Sequence, residues 1–218
     1  MNKRLATSPW AVSKVEYGKR PIVLNIDMQK FFTEEDSPFK AAKMPGFQLV
    51  RRGVAGTKKL MDAARLKNVQ IVHTATGFRK DGKDKGLWKM PAFTDACLLG
   101  TKWVEKCPEL EPKEEDIVFI RKMPDAFFGS ELLNVMIVNE FDTLIITGLN
   151  TSGCIRATTI SSFEYGFSTI LPEDCIGDLV GEEAHWGNLS DINGRYANVV
   201  SLDDVLKYFD GLPKQRRL

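Results

Sequence analysis

The sequence predicts an α/β protein, a three-layer α/β/α sandwich built on a six-stranded parallel sheet and Rossmann-like in plan. Two observations carry that expectation. Short, fully apolar runs rich in β-branched residues recur along the chain, the pattern of strands buried on both faces. Between them lie segments whose apolar residues fall on one helical face, and strand alternating with helix builds right-handed βαβ units.

The first run is PIVLNI, Pro21–Ile26. A helix is expected over 48–66, where Leu49, Val54, Leu60 and Ala64 share a face, and a second strand over 69–73 (VQIVH). The alternation then breaks at 76–101, where Arg79, Lys80, Asp81, Lys83, Asp84 and Lys85 are interleaved with Trp88 and Phe93. An excursion of this length is a functional loop, a subunit contact or a solvated surface segment. Strands resume at 116–120 (DIVFI), 143–147 (TLIIT), 168–171 (STIL) and 197–200, with helices over 130–139, 151–165 and 201–209, the last opened by a Ser cap. One domain over 1–218 is expected, with 1–19 as an N-terminal arm and 210–218 as a tail.

Composition narrows the function. The 218 residues are 43% hydrophobic and 27% charged, values suited to one sizeable core. Thirty Lys plus Arg against 29 Asp plus Glu leave a formal charge of +1, so no overall field draws the protein to nucleic acid or an anionic membrane. A small-molecule partner is expected. The first 20 residues lack an apolar targeting core and no run is long enough to span a bilayer, which points to the cytoplasm. Cys97, Cys107, Cys154 and Cys175 form no CxxC pair, and the only histidines, His73 and His185, form no zinc signature. Neither a metal nor a cofactor is expected; Cys97 and Cys107 read as structural.

In a parallel α/β sheet ligands bind beyond the carboxyl ends of the strands. Three reactive residues fall there: Asp27 after PIVLNI, Lys122 after DIVFIR, and Cys154 a few residues after TLIIT. Taken singly, each also suits a turn cap, a surface charge or a small buried thiol. The stretch 148–154 (GLNTSGC) fits a tight strand-to-helix turn with Thr151 or Ser152 as N-cap. A thiol there meets the positive end of the helix dipole, which lowers its pKa, and the same amides can hold an oxyanion. Asp27 then serves as general base, with Lys122 orienting it.

These residues resemble the isochorismatase-like cysteine hydrolases through Asp27-Met28-Gln29 with Phe32, through Lys122 to Phe127, and through Gly148 to Cys154. The order and spacing fit from about residue 20 to residue 209. Within that family, 151–167 and 188–200 look most like N-carbamoylsarcosine amidase and its relatives. The resemblance implies an Asp27–Lys122–Cys154 triad, a cis peptide at Leu149–Asn150 and an oxyanion hole made by the amides of Asn150 and Cys154. It also implies Thr151 as a substrate contact and a homo-oligomer, dimer or tetramer. Gln29, Phe32, Phe127 and Trp88 are the remaining candidates for the pocket wall.

Two departures bear on the substrate. Where the amidase pattern carries an arginine for the substrate carboxylate, Gly177-Asp178 is followed here by Leu179. Arg79, Lys80, Lys85 or Arg195 would have to replace that anchor, or the substrate lacks a carboxylate. The Asp-x-His element of zinc-containing nicotinamidases is missing around His73, and Cys154 sets the chain apart from isochorismatases that cleave a vinyl ether. The expected activity is hydrolysis of a carboxamide, carbamoyl or ureido C–N bond. The alternatives are a maleamate-like or biuret-type amidohydrolase, or a non-catalytic binding or redox-sensing protein in which Cys175 resolves Cys154.

Overall fold

Seven parallel strands form one sheet in the order β3-β2-β1-β4-β5-β7, with β6 paired to β4 beside that path. The computed structural model describes Leu5, residues 13–216 and Leu218. Most of the expected N-terminal arm, residues 1–4 and 6–12, lies outside the described residues.

The elements in chain order are β1 (Pro21–Ile26), α1 (Lys30–Thr33), α2 (Phe47–Leu66), β2 (Gln70–Thr76), α3 (Pro91–Ala96), β3 (Ile117–Arg121), α4 (Leu132–Val138) and β4 (Thr143–Leu149). They continue with a π-helical turn (Thr151–Ile155), α5 (Arg156–Glu164), β5 (Ser168–Pro172), β6 (Ile176–Gly177), α6 (Glu182–Arg195), β7 (Asn198–Val200) and α7 (Leu202–Gly211). The two-residue β6 is the strand beyond the six expected from sequence. It is too short to leave a periodic signal.

Strand side chains alternate between faces, so each strand feeds two cores. Val23, Ile71, Ile145 and Ile170 pack with Leu60 of α2 and with Val205 and Phe209 of α7. On the other face Ile22, Leu24, Ile26, Leu144 and Ile146 pack with Leu132 and Met136 of α4 and Leu189 and Ile192 of α6. A fully buried aliphatic side chain contributes about 1.5–3 kcal/mol, so these two layers hold the sandwich together. The Ser201 hydroxyl caps α7, as its sequence implied, and the Asp204 carboxylate completes a capping box.

The excursion after β2 is folded. Phe78 and Leu98 bridge its two arms, α3 lies between them, and Phe93 of α3 packs on Phe31, Phe32, Phe78 and Trp88. Among the described residues no helix is long and apolar enough to cross a membrane.

The topology fixes where a ligand can bind. From β1 the sheet runs to β2 and β3 on one side and from β4 to β5 and β7 on the other, so β1 and β4 flank the switch point. Their carboxyl ends are in register, with Ile26 opposite Gly148. Gly148 has φ +120°, and a Cβ there would lie 2.0 Å from the Ile26 carbonyl oxygen, so only glycine permits the two ends to approach.

Candidate active site

Asp27 and Cys154 come together at that switch point, as their placement after β1 and β4 implies. Asp27 is 2% exposed, at φ +53°, a left-handed conformation that a short polar side chain tolerates. Its amide donates to Thr74 O (3.0 Å), and its carboxylate accepts from the hydroxyls of Thr74 (3.4 Å) and Thr76 (3.3 Å).

The cation facing this carboxylate is Arg121, not Lys122. Arg121 Nη2 donates to Asp27 Oδ2 in a buried ion pair, and Nε donates to the Thr74 hydroxyl (3.3 Å). Lys122 instead reaches Gly77 O and Asp84 (3.1 Å) and is partly solvated. Strand alternation is the cause. Ile117, Phe119 and Arg121 point inward, whereas Val118 and Ile120 are exposed at 47% and 43%. Strand β3 ends one residue later than the sequence suggested, with Arg121 opposite Thr76. Its apolar-in, apolar-out composition hid this register.

Cys154 lies in the π-helical turn and is half-buried, while the other three thiols are fully buried. Burial pushes the Cys154 thiol up to about 12; Arg121 opposes that shift and Asp27 adds to it. The resting group is therefore a thiol beside a carboxylate, contrary to the lowered pKa expected from a helix N-terminus.

The turn that carries Cys154 is tied down from both sides. Peptide Leu149–Asn150 is cis, as the motif implied. The Asn150 side chain accepts from Leu179 N (2.9 Å), and Asp178, itself buried, accepts from Ser152 N (2.7 Å) and Val180 N (3.0 Å). Two short segments thus hold one another through each other's side chains. The Thr151 hydroxyl donates to Gly177 O (3.1 Å), which leaves it to accept from His185 Nδ1–H (2.7 Å).

Four of the five expected substrate contacts have internal partners instead. Thr151 is fully buried in the network just described. The Gln29 amide is saturated by Thr76 O (3.1 Å), Trp103 O (2.8 Å) and Thr76 N (2.9 Å), so it fastens β2 to the following loop. Phe32 belongs to the aromatic cluster around Phe31 and Phe93, and Phe127 packs between Tyr165 and Phe167. Trp88 alone keeps an exposed part, with its indole donating to Lys122 O (2.8 Å).

Leu179 is buried in the core beneath α2. Of the cations offered as its replacement, Arg79 is paired with Asp81 (2.8 Å), Lys85 with Asp95 (2.5 Å) and Arg195 with Asp191. Those surface partners account for three of the four. His73 is fully buried within β2, accepting at Nδ1 from Asn25 (3.1 Å) and donating from Nε2 to Asp116 (3.3 Å). Among the described residues no three of His, Cys, Asp and Glu are grouped to hold a metal ion.

Comparison with known proteins bears on this arrangement. The isochorismatase domain family matches residues 21–204. N-carbamoylsarcosine amidase of an Arthrobacter species is 31% identical over 92% of this chain and 75% of its own length. Maleamate amidohydrolase of Pseudomonas putida is 29% identical over 89% of each chain. Among solved structures, a cysteine hydrolase from Pseudomonas syringae pv. phaseolicola superposes with a TM-score of 0.78 at 21% identity, covering 88% of this chain and 92% of its own. That last likeness speaks to the fold.

Proposed function

The chain belongs to the isochorismatase family, and on that footing we propose that it is a cysteine-dependent amidohydrolase cleaving a C–N bond of a small carboxamide, carbamoyl or ureido compound. A fold alone does not settle chemistry, so the proposal rests on the site. The observation that carries it is the meeting of Asp27, Arg121 and Cys154 at the switch point of the sheet.

The chemistry follows from the resting protonation state. Cys154 attacks the carbonyl carbon while its proton passes to Asp27, so no free thiolate need accumulate. The amides of Asn150 and Cys154 receive the oxyanion. Asp27 then returns the proton to the leaving nitrogen, and the C–N bond breaks to give a thioester or thiocarbamate. Water, deprotonated by the same carboxylate, releases the acyl or carbamic acid and restores the thiol. Arg121 holds Asp27 oriented through both proton transfers.

The two relatives, an N-carbamoylsarcosine amidase and a maleamate amidohydrolase, support the bond type. Leu179 and the paired state of Arg79, Lys85 and Arg195 favour a substrate without a carboxylate, such as a neutral carboxamide or a ureido compound. The redox alternative lacks support, because Cys175 packs on the α2 face of the sheet and Cys154 on the opposite face. The proposal includes cytoplasmic placement and assembly of identical subunits, for which the exposed Val118 and Ile120 of β3 offer an apolar contact.

The test is ammonia release from N-carbamoylsarcosine, maleamate, biuret and neutral carboxamides, run beside Cys154→Ala. Turnover that disappears in the variant supports the reading. Silence across the panel together with a Cys154 inert to iodoacetamide would favour a binding protein of the same fold.

A further inference from the structure

Lys106 and Arg121 are the only buried Lys or Arg side chains among the described residues. The mechanism uses Arg121 and leaves Lys106 without a task. A buried ammonium costs several kcal/mol unless an opposite charge or good acceptors compensate it, so its presence calls for a reason.

Its position supplies one. Residues 105–107 run antiparallel to 28–30: Gln29 bridges Lys106, Lys30 N donates to Glu105 O (2.8 Å), and Cys107 N donates to Met28 O (3.0 Å). That pairing threads the Lys106 side chain in beside Asp27, where Nζ donates to Thr74 O. The same carbonyl accepts the Asp27 amide (3.0 Å). The Thr74 hydroxyl donates to Asp27 Oδ1 (3.4 Å) and accepts from Arg121 Nε (3.3 Å). Thr74 thus joins one carboxylate to two cations.

We propose that Lys106 is a positioning residue of the hydrolytic site, a second buried cation that holds Asp27 ionised as the base for Cys154 and sharpens it as an acid toward the leaving nitrogen. This rests on the hydrolase reading above. The charged and titratable groups facing Lys106 are Asp27 at the end of β1, His73 on β2, Arg121 on β3 and the Cys107 thiol beside it. The Lys30–Glu105 pair and Glu111 border the cleft along its outer side. Asp27 is the one buried carboxylate in that set. Burial lowers Lys106 to about 8 and Asp27 works against the shift, so the ammonium stays charged below neutral pH.

An opposite charge at close range lowers a carboxyl pKa by one unit or more, so removing the charge should move the acid limb of the reaction upward. The experiment compares Lys106→Gln, which keeps a donor for Thr74 O and loses the charge, with Lys106→Arg, which keeps both. Two profiles are measured from pH 4 to 8: kcat/KM on the substrate found in the panel, and the rate at which iodoacetamide alkylates Cys154. In Lys106→Gln the acid midpoint should rise by about one pH unit in both profiles; in Lys106→Arg it should stay with the wild type. A Lys106→Gln profile superimposed on the wild type, or an Arg variant shifted as far as the Gln variant, overturns the inference. The alkylation profile needs no substrate. A shifted limb without turnover would count against the hydrolase reading alone, and turnover with an unshifted limb against Lys106 alone.

Discussion

Arg121 and Asp27, 94 residues apart in the chain, form a buried ion pair across the end of a strand that belongs to neither. Strand β2 separates β1 from β3, and its Thr74 and Thr76 hydroxyls bridge the gap by bonding to the pair. The proposed base is thus held by three strands at once, a rigid placement of the kind a reacting group needs.

Arg121→Met should lower kcat/KM about a hundredfold or more, whereas Lys122→Met should stay within about threefold of the wild type. Removing one partner of a buried pair also costs about 3–5 kcal/mol, so Arg121→Met should melt well below Lys122→Met in calorimetry. Equal losses in the two variants would return the orienting role to Lys122.

Thiol reactivity separates the four cysteines. Burial raises the pKa of all four thiols, but Cys154 is half-buried beside Asp27 whereas Cys97, Cys107 and Cys175 are fully buried. Iodoacetamide should label Cys154 alone in the native protein and all four in denaturant. Peptide mass mapping reads the result, and native labelling of Cys97 would contradict it.

Stability should fall on mild acidification. Burial holds His73 below its usual pKa, with the hydrogen bond to Asp116 opposing. The neutral imidazole therefore favours folding, a contribution complete above about pH 6.5 and lost as pH falls toward the folded-state pKa, at up to about 1.4 kcal/mol per pH unit. Asp116 resists burial through hydrogen bonds from His73 and Arg65 that hold its carboxyl below the carboxylate range, so its contribution is lost only below about pH 4. Urea midpoints measured from pH 7.5 to 4.5 should decline, and His73→Gln should flatten the upper part of that decline.

Gly148→Ala should prevent normal folding, since the added methyl group would meet backbone of β1 rather than a yielding side chain. Gly153→Ala, where a Cβ meets nothing within 4 Å, is the matched control. Circular dichroism and expression yield distinguish them.

The architecture was largely legible in the sequence because buried parallel strands leave unbroken apolar runs: β1 falls where PIVLNI placed it, and α2 within a residue of 48–66. Helix α6 was missed because Glu182–Arg195 carries polar residues on most of its surface, and β6 because two residues have no period. At the site, Asp27 and Cys154 could be read from their position after strands. Arg121 could not be separated from Lys122 without the register of an edge strand exposed on one face. Gln29, Phe32, Phe127 and Thr151 were taken for pocket wall because a buried polar or aromatic residue near a catalytic motif reads the same in sequence whether it faces a ligand or a neighbouring turn.

The central claim is a covalent intermediate on Cys154. Rapid-quench intact-mass spectrometry of the enzyme mixed with its substrate from the panel, followed by peptide mapping, measures it directly. The account expects an adduct of the acyl or carbamoyl mass on the peptide holding Cys154, absent in Cys154→Ala together with ammonia release. Turnover with no adduct, and with activity retained in Cys154→Ala, would contradict it.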